Sequence, residues 1–151
     1  MFPVNNCAAR SCKAKEQDHG RECQGNDSGM CESLRRGTRQ FADVVKSLIG
    51  VGVERYHVDF VRGETTYYLR GGATERVLTA SAHGKPAAEF SASGVEAAVR
   101  GAQSGALKYT AFCERALEAG CVGYIASMVG RRVVYYGRTG DSHVEWFPGA
   151  K

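Results

Sequence analysis

TTYYLRGG at residues 65–72 and VVYYGRTG at residues 133–140 each contain a tyrosine pair, an arginine and a closing glycine. The two stretches lie 68 positions apart, and the same ungapped shift aligns much of the chain around them. Gly52 then meets Gly120, and the apolar face of one predicted helix meets that of another. Agreement at so many positions is typical of an internal repeat, so the sequence predicts two copies of one structural unit.

The repeated unit begins with a helix and continues with strands. In RQFADVVKSLIGVG (residues 39–52), apolar residues recur with helical spacing, which predicts a helix over about 40–50. VERYHVDF, ETTYYLR and ERVLTAS then predict three strands joined by short turns. The predicted fold class is α+β, with duplicated α-β-β-β units at about 38–81 and 106–149 and an antiparallel sheet.

Alternation along the strands predicts which side chains face the helices. One tyrosine of each pair is expected to pack beneath its helix, and the other to stand on the outer face of the sheet. In the first strand, Glu54 and Tyr56 are assigned to the apolar face, and Val53 and His57 to the polar face. Trp146 is expected to be a core anchor.

A connector helix is predicted between the repeats, at about 94–103. Ser93 and Glu96 have the spacing of a capping box, in which two side chains satisfy free backbone donors. A narrow stripe of small apolar residues follows on one face. It consists of Val95, Ala98, Val99 and Ala102.

The first 32 residues are predicted to be a disordered extension, because they are polar and bury too little apolar surface to offset ordering entropy. Residues 33–151 then form a single domain, and Met30 is an alternative start. Four cysteines crowd the extension, and their gaps are only a weak match to zinc spacing, so reduced thiols are the favoured interpretation and a metal site the alternative. They are Cys7, Cys12, Cys23 and Cys31.

Bulk properties exclude some function classes. The chain has 151 residues and a net charge of +4, with basic residues scattered along it, so nucleic-acid binding is not indicated. Neither a membrane-spanning stretch nor a secretory signal is recognised, which favours a cytoplasmic location. No dinucleotide, phosphate-loop or nucleophile motif is found, and no cofactor or metal is predicted.

Two His-x-carboxylate patterns are the strongest candidates for chemistry, because residues i and i+2 of a strand share a face. His57 and Asp59 form one and His143 and Glu145 the other, and neither is preserved by the 68-residue shift. They are candidates for an oriented general base, or for a joint divalent-metal site. The ordinary alternative is that they are polar residues on the wet face of the sheet.

The tyrosine pairs are candidates for a ligand pocket between the repeats, since interfaces between duplicated units often bind ligands. Packing of the core and sheet is the alternative interpretation of Tyr67, Tyr68, Tyr135 and Tyr136. Arg70 and Arg138 are candidates for binding an anion near the turns. The partner is not identified by the sequence; a small-molecule ligand and a homodimer both stay open.

The segment GVERYHVDFVRGETTYYL and the segment from FSASGVEAAVR to HVEWFP resemble the YdfO/YbcV-like bacterial domains of unknown function. Members are sometimes labelled phage envelope proteins. The resemblance covers about 33–149 and implies a small α+β fold, but no activity and no catalytic residues. The favoured hypothesis is a binding or accessory domain that is not an enzyme. An enzyme using His57 and Asp59 and a phage-derived structural or interaction protein are the alternatives.

Overall fold

The computed structural model describes residues 41–78 and 84–150, without the side chains of residues 41–44. The predicted N-terminal extension and its four cysteines therefore lie outside the described residues. The three helices are α1 (Phe41–Gly50), α2 (Ala92–Gln103) and α3 (Tyr109–Glu118). The six strands are β1 (Val53–Asp59), β2 (Glu64–Leu69), β3 (Thr74–Leu78), β4 (Cys121–Ser127), β5 (Arg132–Gly137) and β6 (Ser142–Trp146).

All six strands form one antiparallel sheet, in the order β3-β2-β1-β4-β5-β6. Each half of the chain supplies a three-stranded meander, and the two meanders join where β1 pairs with β4. The α+β class with an antiparallel sheet is confirmed. None of the helices in the described ranges is long and apolar enough to cross a membrane.

Strand registers in the two halves agree under the 68-residue shift. Tyr56 pairs with Tyr67, and Tyr124 pairs with Tyr135, each number rising by 68 from the first pair to the second. Each half also has a bulge early in its first strand, between residues 53 and 55 and between residues 121 and 123. The two meanders therefore share their register and their irregularity.

The bulge corrects the predicted faces at the start of β1. Val53 is buried, whereas Glu54, which was assigned to the apolar face, is only half-buried. A bulge places two residues opposite one, so the alternation slips by one position there. From Tyr56 onward the predicted faces are correct.

The hydrophobic core lies between the helices and one face of the sheet. Phe112 of α3 packs edge-on against Tyr124 and Tyr135, and α1 contributes Val45 and Leu48. Helix α2 buries the predicted stripe of small residues in the same core. All three helices therefore cover one face, and the described residues leave the other face of the sheet open.

Helix α2 begins earlier than predicted, at Ala92, and its N-cap is Ser91 rather than Ser93. The Ser91 hydroxyl accepts a hydrogen bond from the Gly94 amide at 3.1 Å. Glu96 does not complete a capping box, since it forms an ion pair with Arg100 one turn further along. Because both serines suit an N-cap, the spacing alone could not separate them.

Candidate functional site

The uncovered side of the sheet, called the open face below, carries three rows of side chains that run across all six strands. The basic row is Thr74, Tyr68, Arg55, Ser127, Arg132 and Trp146. The central row is Arg76, Thr66, His57, Ile125, Val134 and Val144. The acidic row is Leu78, Glu64, Asp59, Gly123, Tyr136 and Ser142.

The tyrosine pairs divide between the two faces as predicted. Tyr67 and Tyr135 are 1% and 0% exposed beneath the helices, whereas Tyr68 and Tyr136 are half-buried on the open face. Tyr68 and Tyr136 stand in different rows and three strands apart, which is about 14 Å at the usual strand spacing. The four tyrosines therefore do not line a single pocket.

The two His-carboxylate patterns lie on opposite faces of the sheet. His57 and Asp59 are on the open face, whereas His143 and Glu145 pair with Tyr135 and Val133 on the helix-covered face. His143 Nε2 lies 3.0 Å from Glu145 Oε1, so this pair is internally satisfied. A joint metal site for the two patterns is excluded by this geometry. Across the described residues no cluster of three His, Cys, Asp or Glu could hold a metal.

His57 has a partner that sequence reasoning did not assign to it. Its Nε2 atom lies 2.5 Å from the Tyr136 hydroxyl, and the two rings stack with centroids 5.9 Å apart. Asp59 instead serves the following turn, because its Oδ1 accepts hydrogen bonds from the amides of Val61 and Arg62. The histidine is therefore held by a phenol across the sheet and not by the carboxylate of its own strand.

Gly123 makes the contact between His57 and Tyr136 geometrically feasible. This glycine lies between the two residues on the open face, and a Cβ added there would meet the Tyr136 hydroxyl at 2.8 Å. The tyrosine ring thus crosses a strand position that has no side chain. A glycine inside a strand often marks such a close approach, and this was the available signal in the sequence.

Burial sets the protonation of the pair. Desolvation lowers the pKa of His57, although the nearby carboxylates of Asp59 and Glu64 oppose this effect. Desolvation also raises the pKa of Tyr136 to about 12, assisted by the charge of Asp59. Both groups are therefore neutral at pH 7, and they share one hydrogen bond whose donor is set by the tautomer of His57.

Trp146 is not the predicted core anchor. It lies on the open face, 37% exposed, with the Arg132 guanidinium 5.1 Å from its ring centroid. The prediction was wrong because it placed the apolar side chain of β6 on the core side, where the register instead puts His143 and Glu145. Val144, also exposed, shares the open face with it.

Arg70 and Arg138 lie in equivalent turns, after β2 and after β5, at opposite ends of the sheet. The two turns lie at opposite ends because β1 and β4 pair in antiparallel fashion, which reverses the second half of the sheet relative to the first.

Two open grooves lie in the helical layer and away from the tyrosine pairs. One, of about 500 Å³, separates α2 from α3 near Gly94, and another, of about 570 Å³, borders Pro86 and α3.

No curated protein matches the chain. A family model does match it, over residues 30–144, which is most of its length and contains all the strands except the last residues of β6. The chain therefore belongs to the family described as "Protein of unknown function (DUF1398)".

Proposed function

We propose that the chain is a non-catalytic ligand-binding domain made of two copies of one helix-and-meander unit. Its binding site is the middle of the open face, where the halves meet. Support for the duplication comes from the shared strand registers and the equivalent bulges. His57 and Ile125 are counterparts in the 68-residue shift and also pair with each other. This is the arrangement expected at the axis relating two equivalent units.

The observation that carries the proposal is the His57–Tyr136 pair above Gly123. The equivalent position in the first half holds Arg55, which lies over Tyr68 instead. The centre of the face thus departs from the repeat at the point where a half-buried, hydrogen-bonded polar pair is exposed to an approaching molecule. Departures from symmetry at the junction of duplicated units are where a specific site is expected.

The surroundings of the pair define the ligand chemistry. Ile125 and Val134 provide an apolar floor beside it. We assign to His57 the tautomer in which Nε2 accepts from the Tyr136 hydroxyl, so that the Nδ1–H of the neutral imidazole is the donor for a ligand. The carboxylate of Asp59 in the adjoining row disfavours an anion. The proposed ligand is a small apolar molecule with a neutral carbonyl-type acceptor.

The alternative hypothesis, an enzyme using His57 and Asp59, is less well supported. The hypothesis needs Asp59 to orient the imidazole, but His57 Nε2 lies against the Tyr136 hydroxyl and Asp59 Oδ1 accepts from the amides of the following turn. A phage-derived structural role rests on a family label alone. The resemblance to YdfO/YbcV-like domains implies no activity, so it does not favour the enzyme or the phage-derived protein over a binding domain.

The test is a thermal-shift screen of carbonyl-containing metabolites against the wild-type chain and three variants. We expect a binder to raise the melting temperature of the wild type, because a ligand selective for the folded state stabilises it. Ile125→Arg should abolish the shift by placing a charged side chain on the floor, and Tyr136→Phe should reduce it by removing the hydroxyl.

Val51→Arg is the matched control, because Val51 is exposed in the link between α1 and β1. It should retain the full ligand-induced shift. Equal loss of the shift in Val51→Arg and Ile125→Arg would contradict a site on the open face. Failure of every compound to stabilise the wild type would also count against the proposal.

A further inference from the structure

The fold gathers arginines that the sequence scatters. Arg55 and Arg132 stand in the basic row, and the turns after β2 and before β5 bring Arg70 and Arg131 beside it. The Arg70 amide donates to the Gly52 carbonyl at 2.9 Å, which fixes that turn at the start of β1. Four cations therefore share one end of the sheet, and Glu54 offsets one of them through its ion pair with Arg55.

Two of these arginines lie against aromatic rings. The Arg55 guanidinium is 4.2 Å from the centroid of the Tyr68 ring, and Arg132 is similarly placed on Trp146. A guanidinium lying over a ring can still donate from its edge to phosphate oxygens. Nη1 of Arg55 is ion-paired with Glu54, so a phosphate would be contacted by the remaining N–H groups of Arg55. Its outer plane is also a surface on which an unpaired base stacks.

The basic row has the dimensions of an extended binding surface. Tyr68, Arg55, Ser127, Arg132 and Trp146 lie on five neighbouring strands. At about 4.8 Å per strand the row spans about 19 Å, enough for several nucleotides of a single strand. Because stacking needs unpaired bases, this surface fits a single strand better than a duplex.

Apart from Glu54, which is ion-paired with Arg55, the carboxylates of the open face are in the acidic row, and each has a partner in the fold. Asp59 caps its turn, and Glu64 forms ion pairs with Arg62 and Arg76. The charge of Glu64 is therefore partly neutralised, and both carboxylates lie across the face from the basic row. The charge distribution directs a polyanion along the basic row and away from the centre of the face.

We propose that the basic row, together with Arg70 and Arg131 in the adjoining turns, binds single-stranded nucleic acid. The arginines contact phosphates, and the Arg55–Tyr68 and Arg132–Trp146 stacks hold bases. This surface does not require the central site formed by His57 and Tyr136. Binding of this kind is tolerant of sequence, because every base has a flat face.

The test is fluorescence anisotropy of the full-length chain with labelled single strands of about 12 nucleotides, within the range of known single-strand sites. Affinity is measured over a series of salt concentrations. Trp146→Ala should weaken binding by roughly 5- to 150-fold, the range for loss of one stacked base. Arg132→Ala and Arg70→Ala should each lower the slope of log affinity against log salt by about 0.7.

Arg100→Ala is the control for net charge, since Arg100 is exposed on α2 in the helical layer. It removes the same charge, and its affinity should stay within about twofold of the wild type. Circular dichroism of each variant establishes that it is folded. A matched duplex and the free mononucleotides are both expected to bind more weakly than the single strand.

Three results would overturn the inference. They are absence of oligonucleotide binding by the wild type at low salt, equal weakening by Arg100→Ala and Arg132→Ala, and tighter binding of the duplex or the mononucleotide than of the single strand. None of these bears on the carbonyl-ligand proposal, which is read out with Ile125→Arg and Tyr136→Phe. The two proposals therefore fail separately.

Discussion

Gly123 and Arg55 occupy equivalent positions in the two halves of the sheet, yet only the glycine leaves room for a neighbouring ring above it. A Cβ at position 123 would also meet the Val58 carbonyl oxygen at 2.4 Å, so any larger residue would force the strands apart. One missing side chain thereby brings His57 and Tyr136 within hydrogen-bonding distance. The contact between His57 and Tyr136 therefore depends on the absence of a side chain at Gly123.

The lowered pKa of His57 makes stability depend on pH. Between the pKa of His57 in the folded chain and its ordinary value of 6.5, the unfolded chain binds more protons than the folded chain. The free energy of unfolding therefore rises with pH through this window, and this contribution is lost as the pH falls. Urea unfolding from about pH 5 to 8 should show a smaller rise for His57→Gln than for the wild type.

An NMR titration of the His57 ring supplies the direct measurement. We expect its pKa below 6.5, with His57→Gln used to assign the resonance. A titration midpoint at or above that value would contradict the dominance of desolvation over the fields of Asp59 and Glu64.

Among the elements, α2 is positioned by close packing of small residues. Its buried stripe is made of small residues, Val95, Ala98, Val99 and Ala102. Gly94 at its start lies so close to Ala119 that an added Cβ would come within 2.9 Å of the alanine methyl. Close approach to α3, together with the cap, positions this helix against the second half of the sheet.

The N-cap of α2 can be tested with two neighbouring serines. Ser91→Ala should lower the free energy of unfolding by about 1 kcal/mol, because it leaves the Gly94 amide without its acceptor. Ser93→Ala is the matched control and should cost clearly less, since Ser93 lies inside the helix. Chemical denaturation measures the free energy of unfolding of both variants. An equal loss in the two would show that both serines contribute to the cap.

For the whole molecule, the pairing of β1 with β4 joins the halves into one sheet over one core. Such a domain is expected to unfold in a single cooperative transition. The pairing also explains why equivalent turns separate to opposite ends of the sheet and why four arginines meet at one end.

Cooperativity between the halves is measurable with the single tryptophan, Trp146, which reports on β6. Val58→Ala alters the first half, where Val58 is 1% exposed, and should cost roughly 2 kcal/mol. We expect the tryptophan fluorescence transition in urea to shift to the same lower midpoint as the circular dichroism transition. An unchanged fluorescence midpoint would mean that the halves unfold independently.

Local patterns in the sequence predicted the helices and strands, and the buried side of most of them. The period of the helices, the alternation of the strands and the division of each tyrosine pair depend only on residues a few positions apart. The same alternation failed at Glu54, because a bulge is decided by the partner strand, and at Trp146, which it placed in the core.

The sequence by itself thus determined an α+β chain with a 68-residue periodicity and a list of polar candidates. Only the tertiary structure decided that β1 pairs with β4, that His57 meets Tyr136 instead of acting with Asp59, and that the two histidine patterns lie on opposite faces. These contacts join residues far apart in the chain. Their geometry follows from strand order and register, which local periodicity does not encode.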